Sequence, residues 1–133
     1  MADGNQGLSA GIKGKASETV SEGKTAASVG SGTLMVYATP ALSALMEKTA
    51  YTSIIELLEP GTCSVGSRTV LDHIAPTPPG SKVTCETELV EVDRRRLTFS
   101  FTVSDGAGEI ARGTHERVIV DKEKFLGKAY GRL

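Results

Sequence analysis

Apolar and polar residues first alternate at helical spacing in the stretch from Thr39 to about Leu58. Thr39 followed by Pro40 is a good helix start, because a threonine side chain can cap exposed backbone N–H groups and proline suits the first turn. The sequence Glu59–Gly61 then interrupts the pattern with a proline and a glycine. The pattern therefore predicts a helix of about five turns, the longest element of the chain.

The segments after this helix have the two-residue period of β-strands. In Leu97–Ser104, leucine, phenylalanine and valine alternate with threonine and serine, as in an antiparallel strand with one buried face. Asp105–Gly106 is a typical hairpin-turn pair. The predicted strands are Cys63–Ile74, Lys82–Val92, Leu97–Ser104 and Glu109–Asp121, with a weaker strand-like stretch at Ala16–Val29.

These elements predict a single domain of the α+β class, in which an antiparallel sheet packs one face on one long helix. A chain of 133 residues is too short to divide into two domains. Residues 1–15 are rich in glycine and small polar side chains, so we expect a flexible N-terminal tail before a domain that spans residues 16–133.

Composition and charge argue against several classes of function. Fifteen Lys and Arg residues face sixteen Asp and Glu residues, which leaves no positive excess for nucleic acid or an anionic membrane. Cys63 and Cys85 are the only cysteines and lack the spacing of a zinc site. No apolar run is long enough to span a membrane, and the N-terminus lacks a signal-peptide pattern. We therefore expect a cytoplasmic protein without a metal.

Glu47 is the first candidate for chemistry, because it falls between Ile54 and Leu58 in the middle of the apolar helix face. A carboxylate there must be paired, reached by water or shifted towards its neutral form. Such groups often have a function. The alternative is a structural glutamate that reaches the edge of a groove or pairs with an arginine such as Arg68.

Five other residues each have a structural interpretation. His73 lies on the more apolar face of its strand, where a histidine can move protons but is more often a core residue. Thr39 is fully explained as a helix cap. Gly66 is most simply a bulge or a close backbone approach. His115 and Arg117 lie on a strand of mixed pattern and are interpreted as exposed pairings without a chemical role.

Several short sequence motifs follow one another between about residues 16 and 125. They include a Thr-x7-Glu spacing and a His-x2-Pro-x-Pro motif. The matching motifs are Val29–Gly32, Ala38–Pro40 with Leu45–Glu47, Val65–Gly66, His73–Pro78 and Gly113–Arg117. In these motifs the chain resembles the hotdog-fold acyl-CoA thioesterase family that contains fluoroacetyl-CoA thioesterase.

This resemblance implies a hotdog fold, with the sheet wrapped around the central helix, and hydrolysis of a short or compact acyl-CoA without a cofactor. It implies catalytic roles for Thr39, Glu47 and His73 and a contact of Gly66 with the acyl group. Glu47 would act as a nucleophile or as the base for a water molecule, and the sequence leaves both open. It also implies a homodimer, because pairing two sheets closes their open edges.

Two alternatives from other classes accompany this interpretation. A hotdog module could bind or sense acyl-CoA without turnover, because a fold does not determine a function. A hydratase of enoyl thioesters would need a different sequence motif for its catalytic acid and base, and the chain lacks such a motif. Fluoroacetyl-specific relatives carry aromatic lid residues ahead of their threonine, where this chain has Gly30–Thr33 with only Tyr37 nearby. This departure from the pattern argues against fluoroacetyl-CoA as the substrate.

The spacing of Thr39 and Glu47 raises a geometric question. Eight residues of straight helix separate them by about 12 Å, which is too far for one hydrogen-bonded cluster. Either the chain at Thr39 folds back over the helix, or the site is shared between subunits. In the second arrangement we expect the threonine of one subunit to meet the glutamate and histidine of the other.

Overall fold

The computed structural model describes residues 7–133, so the first six residues of the predicted tail lie outside it. The elements in chain order are β1 (Lys13–Thr19), α1 (Ala26–Val29), α2 (Thr39–Ile54), β2 (Thr62–His73), β3 (Lys82–Asp93), β4 (Arg96–Asp105), β5 (Gly108–Asp121) and α3 (Lys122–Tyr130). Single 3-10 turns lie at Glu22–Lys24 and Ile55–Leu57.

The five strands form one antiparallel sheet in the order β1-β3-β4-β5-β2. Helix α2 packs on one face of this sheet, mainly against β1 and β3. The predicted α+β architecture, an antiparallel sheet on one long helix, is therefore confirmed. No helix in residues 7–133 is long and apolar enough to cross a membrane.

The core lies between α2 and the inner face of the sheet. The predicted alternation in β4 is confirmed, because its apolar positions are buried and its hydroxyl side chains are not. Each large side chain buried in this way contributes about 1.5–3 kcal/mol to stability. The buried residues of α2 are Leu42, Leu45, Met46, Thr49, Ala50 and Ile54, and those of β4 are Leu97, Phe99, Phe101 and Val103.

Strand β1 lies directly on α2 because it carries a glycine at the crossing. A Cβ atom at Gly14 would stand 2.9 Å from the Thr49 carbonyl oxygen and 2.9 Å from Ser53 Cβ. Any side chain at this position would therefore push the strand off the helix.

The first strand begins earlier and ends earlier than the sequence predicted. It starts at Lys13, inside the predicted tail, where pairing with β3 satisfies the backbone of a segment whose side chains are mostly polar. Leu8 and Ile12 also pack against the core. The strand ends at Thr19, and Thr25 then caps the short helix α1 by accepting a hydrogen bond from a backbone N–H. The predicted strand at Ala16–Val29 is therefore wrong beyond Thr19.

Helix α2 ends four residues earlier than predicted. Its α-helical part stops at Ile54, and the chain tightens into the 3-10 turn Ile55–Leu57. Leu58 then has extended backbone, with ψ of 148°, ahead of Pro60. Tightening of a final turn is common at helix ends.

Strand β2 positions much of the site and forms one edge of the sheet. It pairs only with β5 among the described residues, so its other edge is open. A register shift between Gly66 and Arg68 bends the strand. Val70, in the second half of β2, is 46% exposed. This edge is therefore available for pairing with another strand.

Candidate active site

Thr39 and His73 form a hydrogen-bonded pair at one end of α2. The distance from Thr39 Oγ1 to His73 Nδ1 is 2.7 Å. Thr39 is the first residue of the helix, and Ala38 occupies the capping position without a side-chain bond. The predicted capping role of Thr39 is therefore wrong. Because Pro40 has no N–H, fewer backbone donors need a cap here, and the Thr39 hydroxyl is turned to the imidazole instead.

The imidazole of His73 has the properties of a proton acceptor. Burial lowers its pKa below the ordinary value of a histidine, so the ring is neutral at pH 7. Its Nε2 atom is buried and has no hydrogen-bond partner among the described residues. A cavity of about 350 Å³ lies beside the pair, with lining residues Ala26, Ser31, Val36, Tyr37, Thr39, His73, Ile74, Ala75 and Pro76. A ligand in this cavity could reach both side chains.

Glu47 lies in a second cluster, one face of which is open. Its side chain is 43% exposed, and its Oε1 atom lies 4.0 Å from Arg117 Nη1. Ser43 donates a weak hydrogen bond of 3.5 Å to Oε2. The predicted alternative partner, Arg68, is exposed and pairs with Glu116 instead. The carboxylate is thus held near a cation while remaining accessible to a ligand or to water.

Arg117 is a buried guanidinium, only 6% exposed, fixed in one orientation. Its Nε donates to Ser64 Oγ at 2.8 Å, and its Nη2 donates to the Ser64 carbonyl oxygen at 2.9 Å. The ring of Tyr51 lies over the guanidinium, 5.6 Å from ring centroid to Cζ. Burial lowers the pKa of Arg117, while the nearby Glu47 carboxylate raises it. These contacts direct Nη1 towards Glu47.

His115 completes this cluster beneath Arg117. Arg117 Nη1 lies 3.1 Å from His115 Nε2, and because an arginine can only donate, Nε2 must be the acceptor. The imidazole proton is therefore on Nδ1, which lies 2.7 Å from Thr69 Oγ1. Burial, and then the charge of Arg117, lower the pKa of His115 and keep the ring neutral.

The prediction that His115 and Arg117 are exposed pairings is wrong. The two residues alternate with outward-facing residues of β5 and share the inner face with the buried Ile119. The two-residue period of strand β5 could have indicated this, because Ile119 is an apolar residue in the same register. Their burial was not predicted because both side chains are polar.

Gly66 makes room for the Glu47 carboxylate. A Cβ atom at Gly66 would stand 2.9 Å from Glu47 Oε1 and 3.2 Å from His115 Cε1. The close-approach interpretation of this glycine is therefore correct at the level of geometry. Gly66 leaves a space in front of Glu47 that the side chain of any other residue would fill.

The two clusters are distant from each other within one chain. Thr39 and Glu47 are about 12 Å apart along α2, and Gly66 and His73 are about 23 Å apart along β2, from seven residues of strand. One chain therefore pairs Thr39 with His73, and Glu47 with Gly66. The expected arrangement in which Glu47 and His73 come from one subunit and Thr39 from the other does not fit this geometry.

Comparison with known proteins identifies the family. A sequence model described as the fluoroacetyl-CoA-specific thioesterase family matches residues 20–123. The chain belongs to this family. The fluoroacetyl-CoA thioesterase of Streptantibioticus cattleyicolor is 42% identical over 93 residues, which are 70% of this chain and 67% of that protein.

Solved structures place this member of the thioesterase family among hotdog proteins. The structure of the fluoroacetyl-CoA thioesterase FlK matches with a TM-score of 0.91 and 33% identity, covering 96% of this chain and 99% of that one. A hot-dog-like protein from Thermanaerovibrio acidaminovorans matches with a TM-score of 0.87 and 25% identity, covering 95% and 93% of the two chains. The predicted hotdog fold is thus confirmed.

The described segment ahead of Thr39, Gly30–Ala38, contains one aromatic residue, Tyr37. Gly30–Thr33 is exposed. Tyr37, the aromatic residue nearby, is 1% exposed, and its hydroxyl donates to the Glu18 carboxylate. Tyr37 is therefore part of the core and cannot close over the cavity beside His73.

Gly66→Ala should lower the rate of thioester hydrolysis about 10–100-fold, because the added methyl group displaces the Glu47 carboxylate. The matched control is Gly23→Ala, because a Cβ atom at Gly23 meets nothing within 4 Å. Rates and melting temperatures of both variants would be measured. A folded Gly66→Ala protein with the rate of the control would contradict this interpretation of the glycine.

Proposed function

We propose that this protein is an acyl-CoA thioesterase that hydrolyses a short or compact acyl-CoA to the free acid and CoA. The observation that carries the proposal is the 2.7 Å bond between Thr39 and a neutral His73, in a chain of the thioesterase family that also holds the Glu47 carboxylate against an open space. The three side chains supply a hydroxyl, a proton carrier and a carboxylate.

In the proposed reaction, Glu47 either attacks the thioester carbonyl carbon, forming an anhydride that water then hydrolyses to the free acid, or takes a proton from a water molecule that attacks this carbon directly. The C–S bond breaks, and the leaving sulfur takes a proton. A thiolate needs less assistance to leave than an alkoxide, because thiols are far more acidic than alcohols. His73 carries the proton, Thr39 orients its ring, and Arg117 holds the Glu47 carboxylate in place.

The complete site is proposed to form in a homodimer through the open edge of β2. Val70 lies near the middle of the stretch from Gly66 to His73. Gly66 is about 13 Å before it and His73 about 10 Å after it along the strand. Two-fold antiparallel pairing of β2 with its copy around Val70 would bring His73 of one subunit next to Gly66 and Glu47 of the other. Each dimer would then contain two complete sites.

The acyl group is proposed to enter the cavity beside Thr39 and His73. Apart from Tyr37 and His73, this cavity of about 350 Å³ is lined by small or apolar side chains, and none of its lining residues is formally charged. An uncharged compact acyl group fits this lining. The open Gly30–Thr33 segment supports an acyl group larger than fluoroacetyl. We propose a cytoplasmic location, where acyl-CoA substrates occur, and a reaction that needs no metal or other cofactor.

A panel of acyl-CoA thioesters with a thiol reagent tests the function. We expect release of CoA from at least one short or branched acyl-CoA, at a rate unchanged by a chelator. Tight binding without release across the panel would favour the acyl-CoA-sensing module instead. Inhibition by the chelator would contradict the metal-free reaction.

A further inference from the structure

A second cavity, of about 270 Å³, lies beside Arg117. It lies where the end of α2, the start of β2 and the start of α3 meet. Its apolar wall consists of Tyr51, Ile55 and Leu58, and its two cations are Arg117 and Lys122. The cavity thus combines an apolar surface with positive charge.

The two cavities differ in charge. The cavity beside His73 has no formally charged lining residue, whereas the cavity beside Arg117 has two cations and no carboxylate. In the proposed dimer, each reaction centre lies between the first cavity of one subunit and the second cavity of its partner. A thioester at that centre extends in both directions. Its acyl end is uncharged, and its CoA end consists of an uncharged arm followed by anionic phosphates.

Lys122 is the cation of this cavity that is available to a ligand. Its backbone N–H donates to the Gly61 carbonyl oxygen at 3.0 Å, which anchors the residue at the cavity. The neighbouring Asp121 carboxylate accepts the backbone N–H of Lys124 and so caps α3. In residues 7–133, no carboxylate lies within ion-pair distance of the Lys122 ammonium. Arg117, in contrast, is already engaged with Ser64 and His115.

In the part of the chain that the structure describes, large apolar side chains at this cavity remain exposed. Ile55 is 52% exposed and Tyr51 is 36% exposed. Both lie on the same side as Lys122, so an elongated ligand could cover them and end at the ammonium. Covering such surface is favourable by about 25 cal/mol per Å².

We propose that this cavity binds the CoA half of the substrate, with the pantetheine arm against Tyr51 and Ile55 and a phosphate at Lys122. The inference rests on the proposed thioesterase function and extends it to the direction in which the substrate lies. It assigns the acyl group to the uncharged cavity and the phosphates to the cationic one.

Lys122→Gln tests the phosphate contact. We expect the KM for an acyl-CoA to rise about 5–10-fold with little change in kcat. The charge-assisted contact to the phosphate is present in both the ground state and the transition state, so its loss weakens binding without slowing the chemical step. The same acyl group on pantetheine, which lacks phosphates, should be hydrolysed by wild type and variant with the same KM. The matched control is Lys124→Gln, because Lys124 lies on the same helix but lines a different cavity.

The outcomes separate the inference from the function on which it rests. Equal KM values for Lys122→Gln and Lys124→Gln, or an equal loss on both substrates, would overturn the phosphate contact while leaving the thioesterase intact. Dissociation of the dimer by Lys122→Gln, measured by sedimentation, would show that the cavity is a subunit contact and would also overturn it. If wild type hydrolyses neither substrate, the function fails. Calorimetric titration with CoA would then test the phosphate contact without any turnover. Only weaker CoA binding by Lys122→Gln than by Lys124→Gln would support the contact.

Discussion

Glu47→Gln should reduce the rate of acyl-CoA hydrolysis by about 1,000-fold or more while the protein remains folded. An amide can neither attack the thioester carbonyl nor remove a proton from water. In residues 7–133, Glu47 is the carboxylate that lies against Arg117, and Gly66 keeps the space in front of it open. The loss should appear in kcat for every acyl-CoA that the wild-type protein hydrolyses.

The stability of Glu47→Gln should change by no more than about 1 kcal/mol. The Glu47 side chain is 43% exposed and stands 4.0 Å from Arg117, so solvent screens the ion pair. The glutamine oxygen can still face the guanidinium. Urea unfolding would measure the free energy, and Glu56→Gln, an exposed glutamate just beyond α2, is the matched control. A folded Glu47→Gln protein with a rate near that of the control would refute the proposed reaction.

The fold was predictable from the sequence where burial and periodicity agree. The alternation in β4 gave the correct face of each residue, because its apolar side chains all lie on the side that packs against α2. The turn at Asp105 was equally clear. Strand β1 was predicted less well, because its pairing with β3 is a long-range contact that its polar composition does not indicate.

The candidate site was predictable only in part. Glu47 and Gly66 stood out because each is unusual at its position, a carboxylate on an apolar face and a glycine in a strand. Arg117 and His115 were missed because a buried polar network depends on partners from distant strands, here Ser64 and Thr69 of β2. A local sequence pattern does not indicate hydrogen-bond partners on distant strands.

Thr39 shows how tertiary contacts override a local preference. Its sequence position is that of a helix cap, yet Ala38 takes that position and the Thr39 hydroxyl bonds His73, 34 residues later in the chain. A cap is worth about 1 kcal/mol, so one favourable tertiary hydrogen bond can replace it. The strongest local signal at the site therefore gave the wrong role.

The central claim is that each active site combines Thr39 and His73 of one subunit with Glu47 and Gly66 of the other. In one chain the two clusters are about 12 Å apart along α2 and about 23 Å apart along β2. A dimer of a His73→Ala subunit with a Glu47→Gln subunit would contain one site with both defects and one site with none. Two inactive proteins should therefore form an active mixed dimer.

A matched mixture tests which residues share a subunit. Because Thr39 and His73 are bonded within one chain, a dimer of Thr39→Ala with His73→Ala subunits carries a defect in both sites. This mixture should remain inactive. If the threonine and histidine of one site came from different subunits, this mixture would recover activity instead.

The decisive measurement is the hydrolysis rate of His73→Ala and Glu47→Gln subunits after unfolding and refolding together. Random pairing makes half of the dimers mixed, each with one working site of two, so we expect roughly a quarter of the wild-type rate. The two variants refolded separately, and the Thr39→Ala with His73→Ala mixture, should show only background hydrolysis. Background hydrolysis from a mixture that sedimentation shows to contain mixed dimers would contradict the shared site.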